Sequence, residues 1–236
     1  MTRLFFALEI VCPWPQNLPK GKILLEQDRH MTLAFLGEQE PESVIQDINK
    51  YQLKIAPVGY FDRCQFISSV VCWHMHLLSQ KEIAKDLLAH VTIARRPFDK
   101  KAWLESFEPR PFVASGVHLY ESLGHSHYKS LKKITFTLPF EEFEHTADIA
   151  FIVRAQNMQE LYFTAAIALS FHFLPFLQFI EKEVCFTTLD EIISSLNTMI
   201  ALADSAFGCP LKAVSYHGEI VIRKDSLLEW EMIVDV

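Results

Sequence analysis

Two short segments share residue types that could do chemistry together: His30-Met31-Thr32-Leu33-Ala34 and His90-Val91-Thr92-Ile93-Ala94. On a β-strand successive side chains alternate faces, so His30 and Thr32 project together while Met31, Leu33 and Phe35 project oppositely into the core. The same alternation groups His90 with Thr92. Two such strands facing each other put two imidazoles and two hydroxyls around one space, which suits in-line displacement at phosphorus. One imidazole takes a proton while the other gives one, because the unperturbed pKa of histidine lies near neutrality. The threonine hydroxyls donate to non-bridging oxygens and hold the developing charge. This chemistry needs no metal or cofactor. The competing account is two half-buried strands whose histidines only satisfy hydrogen bonds.

Positioning these groups requires strands, and the apolar, β-branched runs at 3–10, 30–37, 68–78, 90–95, 113–120 and 133–138 predict them. Helical composition at 42–54 and 79–88 places helices between, so an α+β or α/β sandwich is expected for the first half. Beyond Pro139, 148–154 reads as a strand, 158–174 and 189–204 as helices, and 211–217, 219–223 and 230–235 as closing strands. The segment 161–180 carries no charged residue and is long enough to cross a bilayer. His172, Pro175 and Gln178 interrupt it and no basic residue anchors its ends, so a core helix broken near Pro175 is the preferred reading and no membrane partner is expected.

Charge divides the chain. Before Pro139 there are 17 lysines and arginines against 14 aspartates and glutamates; from Pro139 on there are 5 against 15, so the halves carry +3 and −10 of the net −7. A mildly basic first half can approach phosphates, whereas an acidic second half repels nucleic acid unless a cation or a basic partner covers it. The five cysteines are odd in number and form no C-x-x-C pair, which argues against a disulfide scaffold or zinc ribbon and for a reducing, cytoplasmic setting. Residues 4–12 are interrupted by Glu9 and ended by Pro13, so a first strand is expected there rather than a signal peptide.

The pieces RLFFALEI at 3–10, HMTLAFLGE at 30–38, HVTIAR at 90–95 and VHLYES at 117–122 resemble the two-histidine phosphoesterases of the RNA 2′-5′ ligase and 2′,3′-cyclic phosphodiesterase type. The resemblance spans nearly all of 1–138. It implies a bilobal fold in which each lobe gives one His-x-Thr to a central groove, with RNA 3′ ends or cyclic nucleotides as substrates and a 2′-phosphate as product. It makes His30 and His90 the acid and base and Thr32 and Thr92 the phosphate grip. The favoured assignment is His90 as base toward water and His30 as acid toward the departing 3′ oxygen; the reverse stays open.

Cys72, His74 and His76 on one strand face, with His125 and His127 as a second pair, raise a structural zinc site as a possibility. Trp73, Met75 and Leu77 fill the opposite face in any case, so the simpler account makes the first three polar-face residues.

The second half carries Phe143-Glu144-His145-Thr146-Ala147-Asp148-Ile149, then Lys212-Ala213-Val214-Ser215-Tyr216-His217-Gly218, and ends Val234-Asp235-Val236. These pieces resemble archease, giving a small archease-like α/β sandwich at 139–236. Archease-like proteins assist the RNA-splicing ligase that joins 2′,3′-cyclic phosphate or 3′-phosphate ends to 5′-hydroxyl ends, which would make such a ligase a partner. By the same resemblance Asp148, Asp235 and a terminal oxygen of Val236 would bind a hard divalent cation, calcium or manganese, with His145, Lys212 and His217 nearby. Two alternatives remain open: a non-catalytic accessory factor of a ligase, or a contracted, inactive relic of both folds.

Overall fold

The computed structural model describes residues 2–85, 87–144, 148–216 and 218–236. The chain divides into two compact units, Met1–Thr137 and Leu138–Val236.

The first unit is built from strands β1 (Thr2–Val11), β2 (Lys22–Ile23), β3 (His30–Gln39), β4 (Val58–Ile67), β5 (Val70–Leu77), β6 (His90–Arg95), β7 (Arg110–Gly124) and β8 (His127–Thr135). Neighbours run in the order β1-β3-β6-β5-β4-β7, and β7 pairs back onto β1, so six antiparallel strands close into a barrel. Closure removes the exposed edges that an open sheet of this length would present. β8 continues outward from β7 and β2 caps β6. The buried core of this unit includes the large side chains Phe6, Phe61, Phe112 and, from outside the strands, Trp103, each at most 1% exposed.

The helices expected between the strands are largely absent. Over 42–54 the chain forms a four-residue helix, α1 (Pro41–Val44), followed by the 3-10 segment Ile45–Tyr51. Glu40 supplies no side-chain cap, and Val44 and Ile48 are the only buried anchors, too few to hold a longer helix against the barrel. Among the described residues of 79–88 only the 3-10 turn Lys81–Ala84 forms, entered through a left-handed Gln80 (φ 51°). A helix that composition did not announce, α2 (Lys100–Glu105), is started by Asp99, whose side chain accepts from the Lys101 N–H. Strand β4 escapes detection because Gly59 and Asp62-Arg63 interrupt its apolar pattern. β8 begins six residues before the expected strand at 133–138, because its exposed face carries Lys129, Lys132 and Lys133 and hides the alternation.

The second unit has a five-stranded antiparallel sheet made of β9 (Phe140–Glu144), β10 (Ile149–Ala155), β11 (Ala213–Val214), β12 (Val221–Ile222) and β13 (Leu228–Asp235), in the order β11-β13-β10-β9 with β12 also on β13. Helix α3 (Met158–His172) is buried all round from Leu161 to Ser170. That explains the uncharged stretch: a helix with no solvent face has no place for charge. It ends at His172, and Pro175 lies in the following 3-10 turn Leu174–Gln178. Among the described residues no helix is long and apolar enough to cross a membrane. Helix α4 (Leu189–Phe207) buries Ile192, Ile193, Leu196, Met199, Ile200 and Ala203 on one stripe and starts with a Thr188–Glu191 capping box. Its Asn197 donates to the Val214 carbonyl (3.0 Å) and accepts from the Val214 N–H (2.6 Å), which holds the short β11 at the sheet edge.

Candidate active site

Strands β3 and β6 run antiparallel as neighbours, with Met31 paired to Val91. Both of those side chains are buried, at 1% and 0% exposure. The other face therefore carries all four expected residues, with His30 across from Thr92 and Thr32 across from His90. The arrangement has local twofold character centred on the Met31–Val91 pair. All four side chains line one cavity of about 240 Å³.

The two imidazoles are set by the same device. His30 Nδ1 lies 2.9 Å from the Asp28 carbonyl and His90 Nδ1 lies 2.6 Å from the Leu88 carbonyl, each two residues back along the chain. A carbonyl can only accept, so Nδ1 carries the proton in both neutral rings and Nε2 is left as the basic nitrogen. The His30 ring sits among Phe5 (5.0 Å), Tyr120 (5.5 Å) and Tyr128, which meets it edge-on at 4.8 Å. Burial pushes its pKa down to about 4, with like-charge pressure from His118 and His90 in the same direction and the Asp28 carbonyl opposing. Thr92 Oγ1 is 3.8 Å from the buried Cys72 Sγ.

The expectation that Phe35 enters the core is wrong, and its physical cause is a β-bulge. In the β1–β3 ladder Ala7 pairs with Thr32, but Phe5 pairs with Phe35, so β3 carries one extra residue after Thr32. Phe5 and Ala7 share a face of β1; Phe35 is thereby turned onto the face of Thr32. It is 72% exposed and lines the cavity. β6 repeats the feature: Cys72 pairs with Thr92 but Val70 pairs with Arg95, again with one residue extra. Arg95 is thus turned onto the face of Thr92 and lines the same cavity. Five residues after each histidine, one strand presents a phenyl ring and the other a guanidinium.

Arg3, Ser122 and Tyr128 complete much of the wall. None of these three, nor Phe35 or Arg95, is marked as a site residue by sequence. Arg3 and Arg95 stand inside the segments that carry the family resemblance, but strict alternation gives no reason to aim Arg95 at the histidines; only the bulge does.

Of the zinc candidates, Cys72 is buried beside Thr92, His74 Nδ1 lies 2.7 Å from Asp62 Oδ1, and the His76 ring packs against Tyr60 at 5.0 Å. His125 and His127 lie at the β7–β8 turn. All five cysteines are free thiols. Among the described residues no group of three or more His, Cys, Asp or Glu is placed to hold a metal. In the second unit Ile149 pairs with Val234, which brings Asp148 and Asp235 to the same end of the β10–β13 ladder. Asp235 Oδ1 accepts from Ser215 Oγ at 3.1 Å, and Val236 is 55% exposed. His145, Thr146, Ala147 and His217 of the two archease-like motifs lie outside the described residues.

No family model matches the chain, and no curated protein matches it. Solved structures do. The chain is similar to the crystal structure of Escherichia coli LigT complexed with ATP, at 19% identity and a TM-score of 0.41 over 58% of this chain and 98% of that one. It is similar to a structure described as a phosphoesterase, at 19% identity and a TM-score of 0.40 over 58% of this chain and 99% of that one. A protein of Thermus thermophilus matches at 17% identity and a TM-score of 0.39 over 57% of this chain and 97% of that one.

Proposed function

We propose that the first unit hydrolyses 2′,3′-cyclic phosphate ends of RNA to 2′-phosphates. The observation that carries this reading is the antiparallel register that sets two Nδ1-protonated imidazoles and two threonines around one cavity. A cyclic phosphodiester held there by the Thr32 and Thr92 hydroxyls has an imidazole on either side of phosphorus. One Nε2 takes a proton from water as the water oxygen bonds to phosphorus. The other ring, protonated, donates to the 3′ oxygen as the P–O3′ bond breaks, leaving the phosphate on the 2′ oxygen.

The lowered pKa of His30 supports it as the acceptor, the reverse of the assignment favoured from sequence. A bound phosphate anion raises the pKa of an adjacent imidazole and so brings His30 closer to the working pH. Incubation of an oligonucleotide ending in a 2′,3′-cyclic phosphate is expected to give the 2′-phosphate product; a 3′-phosphate product, or no turnover, overturns the reading.

Phe35 offers its exposed ring as a stacking platform for the terminal base. Stacking on an aromatic side chain is worth ~1–3 kcal/mol per base. Phe35→Ala is therefore expected to raise KM about tenfold with kcat nearly unchanged, and steady-state kinetics showing an unaltered KM would remove the base from Phe35.

For the second unit we infer an archease-like role toward an RNA ligase, with a calcium or manganese ion taken by Asp148, Asp235 and the terminal carboxylate of Val236. The support is the ladder register, whose last pair Ile149–Val234 is flanked by Asp148 and Asp235, together with the sequence motifs.

A further inference from the structure

A second cavity, of about 500 Å³, adjoins the first and shares Arg3, Leu24, Asp28, Arg95, Ser122 and Tyr128 with it. It adds Lys22 from β2 and the His125 and His127 side chains from the β7–β8 turn. Three permanent cations thus converge from three strands. Two of them, Lys22 and Arg95, are directly paired across the β2–β6 ladder. Like charges directly opposite on neighbouring strands destabilise a sheet.

Among the described residues no carboxylate lies within ion-pair distance of Arg3, Lys22 or Arg95; the Arg95 Nε donates instead to Ser126 Oγ at 2.6 Å. The acid in this wall is Asp28. Its carboxylate is 3.8 Å from His127 Nδ1, and burial raises its pKa. A cationic pair with no carboxylate within ion-pair distance among the described residues, beside the cavity of the two histidines in a chain of net charge −7, calls for an anion from outside the protein.

We propose that this second cavity is a subsite for the next phosphate along the substrate, gripped by Lys22 and Arg95. The inference rests on the proposed function and deepens it: the preferred substrate is an end that carries a further phosphodiester, not a lone nucleoside cyclic phosphate. The twofold asymmetry fits this orientation, because the base is received on the phenyl side and the chain continues on the guanidinium side.

The test compares three substrates: a nucleoside 2′,3′-cyclic phosphate, a dinucleotide ending in one, and the same dinucleotide with a neutral methylphosphonate linkage. A hydrogen bond to a charged group contributes ~1.5–3 kcal/mol, so kcat/KM for the phosphodiester dinucleotide is expected to exceed that of the other two about tenfold or more. Lys22→Gln should bring it down toward the methylphosphonate value while leaving the mononucleotide unchanged, and Lys22→Arg should restore it. Equal kcat/KM for the phosphodiester and the methylphosphonate overturns the subsite. If wild type turns over none of the three, the proposed function fails, and calorimetry with the two dinucleotides ending in 2′-phosphate decides the subsite separately; equal affinities overturn it.

Discussion

His30→Ala is expected to lower kcat toward a 2′,3′-cyclic phosphate by ~10²–10⁴-fold, the usual contribution of one positioned proton-transfer group. His90→Ala is expected to cost a similar factor, because the register gives both rings the same relation to the cavity and the same Nδ1 anchor. The double variant should fall well short of the product of the two losses, since a proton-transfer pair acts as a unit. The pH profile tests His30 as the acceptor. With His30 as acceptor, kcat/KM is retained down the acidic range and lost as pH falls through about 4, where the free protein's His30 gains its proton. With His30 as donor, the protonated share of that ring would instead shrink as pH rises above that value, so only a small fraction of the protein would be competent at neutral pH. A fall of kcat/KM already between pH 7 and pH 5 would exclude a base that titrates near 4. Native folding of both variants, checked by circular dichroism, makes a loss of turnover attributable to the missing ring.

Gly59→Ala is expected to destabilise the barrel by roughly 3 kcal/mol, at the upper end of the usual overpacking range. Gly59 lies in β4 between Leu77 of β5 and Phe112 of β7. A Cβ there would overlap the His76 carbonyl and come within 2.8 Å of the Phe112 ring. Neither can retreat cheaply: one is strand backbone, and Phe112 is fully buried against Phe61 at 5.1 Å. For a unit of this size the loss corresponds to a fall in Tm of about 10 °C. Calorimetric scans of wild type and variant measure it, and a Tm within 2 °C would show that β4 and β5 can separate without cost. Gly59 does not line the cavity of the histidines, so turnover well below the transition should be close to that of wild type.

Sequence makes the grouping of four side chains legible because the two His-x-Thr segments keep a short, fixed relation that strand alternation turns into shared direction. His30, Thr32, His90 and Thr92 do meet in one cavity. Composition overstates the helices, since runs such as 42–54 contain helix formers without enough buried anchors to hold them. Lysines on the outer face of β8 hide its alternation and displace the expected strand. Phe35 and Arg95 escape for a different reason: parity is counted from residue to residue, and a bulge shifts the count with no sequence mark of its own. Lys22 and Arg3 belong to the wall through strand pairing alone, which no local pattern reveals. In the uncharged stretch 161–180, Pro175 and the polar side chains that accompany it do point to the break the structure contains.

The duplicated bulge divides each of the two central strands into independent halves. Under the proposed mechanism, residues ahead of it handle the proton transfers and cannot drift without loss of turnover, and the residues behind it have a separate part. Those behind it are aimed by a single inserted position, so exchanging one side chain there changes what is recognised while the reacting centre stays intact. A lineage built on this barrel could therefore retune its preference for a base or a backbone charge one residue at a time, on either side of the same phosphorus atom.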